Sequence, residues 1–203
     1  MEKDHFMKIM EKDHFMQMEE FITYCQAGYS ISTDEKELMQ LLYQCAFEAQ
    51  KIIMELNNSF HTQKEIVDIF SSLTGKNVDS SFVCFPPFYT DFGKNIHIGK
   101  NVFFNTGCSF QDRGGIFIGD HSAIGMNVTI ATLNHGLDIR DRGTTYPSPV
   151  KIGKYVWIGS NVTILPGVTI HDFSIIGAGA VVTKNVPSKS VYAGVPAKWI
   201  KSI

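Results

Sequence analysis

His135 is the residue of this sequence with the clearest potential for chemistry. It lies in a long segment, 131–150, that separates two stretches of a short repeat, and long loops on a rigid scaffold are usually functional. Imidazole titrates near neutral pH, so it can take the proton from a hydroxyl and make the oxygen a better nucleophile. Asp138, Asp141 or a backbone carbonyl could hold the other ring nitrogen, and the sequence leaves that choice open.

The loop interrupts a six-residue repeat that organises residues 98–182. An aliphatic or aromatic residue returns every six positions, and repeats this short are typical of a parallel β-helix, in which each coil covers its neighbour's apolar face. A second interruption inserts two residues near Asp112 and Arg113. With three hexads to a coil, the repeat predicts about four coils. Their inward anchors are Ile98, Phe104, Phe110, Ile118, Ile124, Ile130, Ile152, Ile158, Ile164, Ile170, Ile176 and Val182.

A glycine directly follows many of these anchors, as at Gly99, Gly119 and Gly159. Glycine takes positive φ without steric cost, so we expect these glycines to form the corners of the coil. The period of six fits neither an α-helix nor the alternation of a hairpin meander.

Two amphipathic helices are predicted ahead of the repeat. Apolar residues at spacings of three and four indicate one helix from Asp34 to Asn57. Thr62, with Glu65 three residues later, forms a capping box for a second helix that ends at Gly75. Two short helices cannot bury enough apolar area alone, so we expect them to cap one end of the β-helix.

The chain is therefore divided into three parts. Residues 1–18 are predicted to be an extension in which the heptad MEKDHFM occurs twice. The duplication has no evident packing role, and we do not expect its histidines, His5 and His14, to bind a metal. Residues 19–75 are predicted to be a helical domain. Residues 76–203 are predicted to be the β-helix domain, with the protruding loop 131–150 and a C-terminal tail, 187–203.

Composition indicates an ordinary globular protein and disfavours several partners. The 203 residues are 44% hydrophobic and 19% charged, and the formal net charge of −2 gives no reason to expect nucleic acid or an anionic membrane. No apolar run approaches the roughly 18 residues of a membrane span, and the N-terminus does not resemble a signal peptide. Four scattered cysteines without a CxxC pair predict free thiols in a cytoplasmic protein.

Several long motifs follow one another in a characteristic order. They are PPFYTDFGKNIHIG (86–99), the Phe104-Asn105 pair, the Asn134-His135 pair, VWIGSNVTILPGVTI (156–170), IIGAGAVVTKNVP (175–187) and AGVPAKWIK (193–201). Over about residues 19–203 the chain resembles the maltose and galactoside O-acetyltransferase family of hexapeptide-repeat acyltransferases. The resemblance implies a left-handed β-helix, an exception to the usual crossover handedness, assembled as a homotrimer with active sites between subunits.

The resemblance also implies the reaction and its donor site. Acetyl-CoA is the donor, a sugar or related small alcohol supplies the hydroxyl, no metal takes part, and His135 is the general base for direct transfer. The backbone N–H of Ser160 is expected to stabilise the oxyanion, and the lysines suit nucleotide phosphates. The expected donor contacts are Trp157, Ser160, Ala178, Thr183, Lys184, Lys198 and Lys201.

On the acceptor side, Asn105 matches the sugar-binding asparagine of the family, and its amide can both donate and accept. Asp91, Asp112 and a shifted Asp34 are further expected contacts. The sequence departs from the galactoside pattern at several points. Phe103 occupies the position of a tyrosine, Arg113 replaces an acidic residue, and the loop from His135 to Pro149 is about two residues shorter. These departures concern the sugar rather than acetyl transfer.

Three alternatives remain open from the sequence. The same fold could acetylate a xenobiotic or an amine, or it could be a β-helix protein that has lost its chemistry. A metal enzyme of the carbonic-anhydrase type would need three histidines at an interface. The available histidines lack the close spacing of such a site: His97, His121, His135 and His171.

Overall fold

A computed structural model describes residues 16–203, so the duplicated heptads and their histidines lie almost entirely outside the described residues. Three helices come first: α1 (Met18–Gln26), α2 (Lys36–Asn58) and α3 (Gln63–Thr74). The capping box of α3 is present as predicted, with the Thr62 hydroxyl accepting from the Glu65 N–H, and Gly75 ends the helix at φ +67°. No helix in this part of the chain is long and apolar enough to cross a bilayer.

The rest of the chain winds into a parallel β-helix with three flat faces. Every parallel strand pairs with the strand one coil away, as the repeat requires. The first sheet contains β1 (Val83–Cys84), β4 (Phe103–Phe104), β7 (Ala123–Ile124), β12 (Trp157–Ile158), β15 (Ile175–Ile176), β17 (Ser190–Ala193) and the antiparallel β18 (Lys198–Ser202). The second contains β2 (Phe88–Thr90), β5 (Cys108–Gln111), β8 (Thr129–Ala131), β13 (Thr163–Ile164) and β16 (Val181–Val182). The third contains β3 (Ile96–Ile98), β6 (Ile116–Ile118), β11 (Val150–Ile152) and β14 (Thr169–Ile170).

The predicted anchors form three ladders, one on each face. On the first face Phe104 pairs with Ile124, then Ile158, then Ile176. The ladder starting at Phe110 lies on the second face and that starting at Ile98 on the third. Eleven of the twelve anchors are buried, and Ile98 is half-buried, so the six-residue period gives the register of the whole stack.

The prediction of about four coils was too low, because the stack has about six. Cys84 on the first sheet and Phe88 on the second begin a coil ahead of the repeat, and Tyr192 belongs to a coil after it. These positions escaped the count because Cys84 lies 20 residues before its partner Phe104 and Tyr192 lies 16 residues after its partner Ile176, instead of the 18 residues of three hexads.

The corner role predicted for the glycines that follow the anchors was wrong. Gly119 and Gly159 have ordinary φ, whereas the positive-φ position is the third residue after an anchor, as at His121, Asn161 and Gly179. A Cβ on Gly159 would lie 2.6 Å from the Ala178 nitrogen in the next coil. These glycines therefore allow neighbouring coils to approach closely.

The helices cover the first coil, as the sequence predicts. Phe70 of α3 packs against Phe82 and Phe88 at centroid distances of 4.7 and 5.0 Å, so one apolar core runs from the helices into the coils. The Asn57 side chain accepts from the N–H of Phe88 and donates to its carbonyl, both at 2.9 Å. At the other end β18 folds back on β17.

Candidate functional site

The 131–150 loop is an ordered hairpin that projects from the coil. Its strands, β9 (Leu133–His135) and β10 (Thr145–Pro147), pair antiparallel with His135 opposite Thr145. A short 3₁₀ turn, Ile139–Asp141, closes the end of the hairpin. The Arg142 side chain braces this end by donating to the carbonyls of Gly136 and Leu137 at 2.9 and 3.0 Å. The sequence predicted the loop but gave no sign of its pairing.

The orientation of the His135 ring is set within the hairpin. Nδ1 lies 2.8 Å from the carbonyl oxygen of Arg142. Because a carbonyl only accepts, Nδ1 carries the proton, and the lone pair of the neutral ring resides on Nε2. His135 is exposed, so Nε2 is available to take a proton from a bound molecule.

The two carboxylates near His135 have other partners. Asp138 accepts from the Arg140 backbone and guanidinium, with the shortest contact at 2.7 Å, and these bonds lower the pKa of its carboxyl. Asp141 accepts from the Tyr146 hydroxyl at 2.8 Å. The orienting group is therefore the backbone carbonyl, one of the options that the sequence left open.

A groove of about 390 Å³ runs along the outside of the first sheet. Its walls bring together four of the predicted donor and acceptor residues: Asn105, Trp157, Ser160 and Ala178. Glycines and alanines form much of its floor, so a narrow chain could lie close to the backbone. Trp157 is 58% exposed and forms part of the groove wall.

Polar groups at the groove have defined directions. Oδ1 of Asn105 accepts from the Thr106 N–H at 2.8 Å, which leaves the Nδ2 amide hydrogens as the groove-side donors. The Ser160 hydroxyl accepts from the Met126 N–H, and its carbonyl accepts from the Gly179 N–H. The backbone N–H of Ser160 donates to no acceptor among the described residues, so it is available to a bound molecule.

Two of the predicted phosphate-side lysines lie on β18. Lys198 pairs with Ala193, whose Cβ lies against the groove residue Gly177. Lys201, three residues further along the strand, pairs with Val191. Both lysines are exposed. Thr183 and Lys184 follow β16 on the second sheet and are exposed, but they do not line the groove.

Asp91 and Asp34 are exposed on the side of the hairpin base. Asp91 lines a second groove of about 390 Å³ on the second sheet, together with Gln111 and Thr129. Crowding by protein, and then the Asp112 carboxylate, raise the pKa of Asp91 to about 7, although the residue as a whole remains exposed. Asp34 follows Thr33, which packs against Gly143 of the hairpin.

Asp112 does not fit the predicted acceptor contact. It is fully buried, and its carboxylate accepts from the Thr90 hydroxyl and from the backbone N–H groups of Gly93 and Asn95. Burial raises the pKa of Asp112 while these hydrogen bonds oppose the shift. Its role is to hold the 90–95 turn, because no acceptor could reach a carboxylate enclosed in this way. Arg113 is also buried, at 1% exposure.

Two of the candidate metal-ligating histidines, His97 and His121, pack against aromatic rings. Among residues 16–203, no group of three histidine, cysteine or acidic side chains is arranged to hold a metal ion. His97 stacks on Phe117 at 4.4 Å, and His121 stacks on Tyr155 at 4.5 Å. These two histidines belong to aromatic stacks on the outside of the coil.

Two family models match the coil. Residues 149–184 match the bacterial transferase hexapeptide model of six repeats, and residues 95–132 match the hexapeptide repeat of succinyl-transferase. The two matched ranges lie on either side of the His135 hairpin. The two matches cover hexapeptide repeats of the coil, which is the left-handed parallel β-helix that the resemblance implies.

Curated relatives are acetyltransferases by name. The chain is 46% identical over 120 residues to the galactoside O-acetyltransferase of Escherichia coli (strain K12), covering 58% of this chain and 59% of that protein. It is 39% identical over 184 residues to a putative acetyltransferase of Staphylococcus aureus (strain COL), covering 83% of this chain and 90% of that protein. The first match thus spans about three-fifths of its relative, and the second nearly all of it.

Solved structures give the same result over nearly the whole chain. A maltose O-acetyltransferase from Clostridium difficile 630 is 36% identical, with a TM-score of 0.82 over 94% of this chain and 99% of that chain. A galactoside acetyltransferase in complex with coenzyme A is 34% identical, with a TM-score of 0.75 over 92% of this chain and 91% of that chain.

Proposed function

Because the chain belongs to the maltose and galactoside O-acetyltransferase family of hexapeptide-repeat acyltransferases, we propose that it transfers acetyl from acetyl-CoA to a hydroxyl of a sugar or related small alcohol. The observation that carries this proposal is the hydrogen bond from Nδ1 of His135 to the Arg142 carbonyl. That bond leaves Nε2 as a proton acceptor at the exposed side of the hairpin, which is what general-base catalysis requires.

The first-sheet groove suits the donor. Its small residues would accept the narrow pantetheine arm between Trp157, Ser160 and Ala178. Lys198 and Lys201, exposed beyond the Gly177 end of the groove, would bind the nucleotide phosphates as point charges. We retain Thr183 and Lys184 as phosphate-side residues on the family resemblance alone.

The chemistry that these residues would perform is direct acyl transfer. Nε2 of His135 takes the proton from the acceptor hydroxyl as its oxygen attacks the thioester carbonyl, and a new C–O bond forms. The Ser160 N–H donates to the oxyanion as it develops. Collapse of the tetrahedral centre breaks the C–S bond, and the proton on Nε2 passes to the departing thiolate. No covalent enzyme intermediate is needed.

The complete site is proposed to need more than one copy of the chain. His135 stands on a hairpin beyond the second sheet, whereas the donor groove lies on the first sheet and His135 is not among its lining residues. A second subunit that presents its hairpin to this groove would bring the base and the donor together. On the family resemblance we propose that this assembly is a homotrimer with active sites between subunits, and that the protein is cytoplasmic.

The acceptor would lie between the hairpin and the groove. Nδ2 of Asn105 is a donor for a sugar oxygen, and the carboxylates of Asp91 and Asp34 are exposed near the hairpin base. We omit Asp112, whose oxygens are enclosed. Because Arg113 and Phe103 depart from the galactoside pattern, the acceptor is proposed only at the level of a small alcohol.

An acceptor panel tests the proposal. The full-length protein is mixed with acetyl-CoA and with sugars, polyols, amines and aromatic xenobiotics, and both thiol release and product mass are measured. We expect an O-acetylated sugar or polyol, and His135→Ala should lower the rate by roughly 10²- to 10⁴-fold. His171→Ala is the matched control, since His171 is an exposed histidine of the coil outside the groove.

Other outcomes would replace the proposal. An N-acetylated product would indicate an amine or xenobiotic acceptor. Failure of acetyl-CoA to bind in calorimetry would indicate a β-helix protein without this chemistry. Full turnover by His135→Ala would exclude His135 as the base.

A further inference from the structure

Arg113 is the largest fully buried side chain of the described residues, although it carries a permanent charge. It lies in the two-residue insertion between β5 and β6, next to the buried Asp112. The neighbouring Gly114 packs tightly against Thr132 at the base of the hairpin, where an added Cβ would lie 2.5 Å from the Thr132 carbonyl oxygen. The insertion therefore touches the hairpin that carries His135.

The Arg113 guanidinium links two separate segments. Nη1 donates to the carbonyl of Tyr29 at 3.2 Å. Nη2 donates to the carbonyl of Thr145 at 3.3 Å and to its hydroxyl at 2.6 Å. Thr145 is also bridged to Ile31 by two backbone hydrogen bonds, of 2.8 and 3.2 Å. Arg113 thus fixes β10 and the chain before α2 relative to each other.

Thr145 is also the residue that faces His135. The two are direct partners in the β9–β10 pairing, and the Gly136 N–H donates to the Thr144 carbonyl at 3.2 Å. A movement of β10 would therefore displace both the His135 backbone and the Arg142 carbonyl that orients its ring. One buried guanidinium holds the residue on which this geometry depends.

Arg113 is not placed as an efficient stabilising group. Its Nε is buried and has no hydrogen-bond partner among the described residues. The carboxylate of the adjacent Asp112 accepts from Thr90, Gly93 and Asn95, and among the described residues no hydrogen bond joins it to the guanidinium. A buried charge that is incompletely paired generally stabilises a fold less than a well-packed apolar side chain.

We propose that Arg113 is a positioning residue for acetyl transfer. Its guanidinium fixes Thr145 and, through the pairing of β10 with β9, holds His135 in its working position. The expected effect on catalysis rests on the proposed function of His135 as the base. The expected effect on the rigidity of the hairpin does not. The planar fork of arginine can reach two carbonyls on different segments at once, which a lysine ammonium on a single stem does poorly.

Hydrogen exchange tests the mechanical part without an acceptor. In Arg113→Met, amides in peptides covering 131–150 and 28–33 should exchange roughly tenfold or more faster, with little change in the coil peptides. Arg113→Lys should resemble Arg113→Met, whereas a need for charge alone would predict rescue. Arg140→Met is the control, because Arg140 pairs with Asp138 and is 87% exposed.

Kinetics test the catalytic part once an acceptor is known. Arg113→Met should lower kcat by roughly 10- to 100-fold, because small displacements of a catalytic group are costly, while KM for acetyl-CoA stays within about twofold. Thr145→Val removes the hydroxyl that accepts from Arg113 and donates to the Ile31 carbonyl at 3.1 Å, but it keeps the bond from Arg113 to the Thr145 carbonyl. It should therefore show a smaller loss in the same direction. It also carries the test should Arg113→Met fail to fold.

Two results would overturn the inference. Unchanged exchange in 131–150 for both Arg113→Met and Thr145→Val would show that the guanidinium does not hold the hairpin. Faster hydrogen exchange with unchanged kcat would show that the hydrogen bonds of Arg113 hold the hairpin but do not position His135 for catalysis. If the wild-type protein shows no acetyl transfer to any acceptor, the proposed function is refuted, but the hydrogen-exchange result for Arg113 still stands.

Discussion

Gly119 should be intolerant of alanine for a reason unrelated to its backbone angles. Its φ is ordinary, but an added Cβ would lie 2.7 Å from the carbonyl carbon of Gly153 and 2.9 Å from the nitrogen of Lys154. These are backbone atoms of the next coil, so they cannot rotate away. Gly119→Ala must therefore push two coils apart against the hydrogen bonds that join them.

Gly179 provides the matched comparison. It has φ +71°, and no atom lies within 4 Å of an added Cβ. Alanine there costs about 1–2 kcal/mol for the left-handed conformation, partly offset by about 0.4–1 kcal/mol from a stiffer unfolded chain. Gly119→Ala should cost about 3 kcal/mol, the upper end of the range for overpacking.

The expected melting temperatures separate the two causes. At about 2–4 °C per kcal/mol for a protein of this size, Gly119→Ala should lower Tm by roughly 6–12 °C. Gly179→Ala, with a net cost of about 1 kcal/mol, should lower it by roughly 2–4 °C. Gly179→Asn should change little, because Asn127 and Asn161 already occupy the equivalent corner. Circular dichroism at one protein concentration provides the measurement, since an oligomer melts in a concentration-dependent way. An equal or smaller loss for Gly119→Ala would refute the close-approach argument.

Two further predictions concern titrating groups. The pKa of Asp91 is raised from 3.8 to about 7 in the fold, so the folded state keeps a proton that the unfolded chain loses, and stability should fall as pH rises from about 4 to 7. Asp91→Asn should remove this loss of stability and raise Tm at pH 8 by about 2–4 °C, which corresponds to about 1 kcal/mol of unfolding free energy after a discount for the exposure of Asp91. Equal pH dependence of Tm in the two proteins would contradict the prediction. The four cysteines are buried and free, and burial raises the pKa of Cys25 to about 12 and of Cys45 to about 11. A chromogenic disulfide reagent should therefore find no thiols in the native protein and four after unfolding in urea, and rapid native labelling would show that the cysteines are accessible.

Much of the coil could be predicted because its constraint is periodic. Each anchor must fill the same interior, so the spacing from Ile98 to Val182 gave the faces and their register. The capping box at Thr62 was equally local, since both hydrogen bonds join residues three apart. The count of coils failed at Cys84 and Tyr192, where the inward residue is not a regularly spaced aliphatic.

The parts of the site that escaped prediction depend on distant contacts. The group that orients His135 is the Arg142 carbonyl, and a carbonyl occurs at every residue, so it has no sequence signal. Asp112 has the residue type of a sugar ligand, but its surroundings come from the 90–95 turn of an earlier coil. Arg113 departs visibly from the galactoside pattern, but its hydrogen-bond partners lie 32 and 84 residues away in the sequence, so the sequence does not show what it contacts.

The Asn57 amide has a consequence beyond the first coil. A solenoid ends in strands whose peptide groups are free on one side, and such ends can recruit strands from another molecule. By donating to and accepting from Phe88, Asn57 imitates the peptide of a strand that is not there. A side chain one methylene longer or shorter would not place both amide groups at these distances, so a single helical residue caps an edge at which another strand could otherwise add.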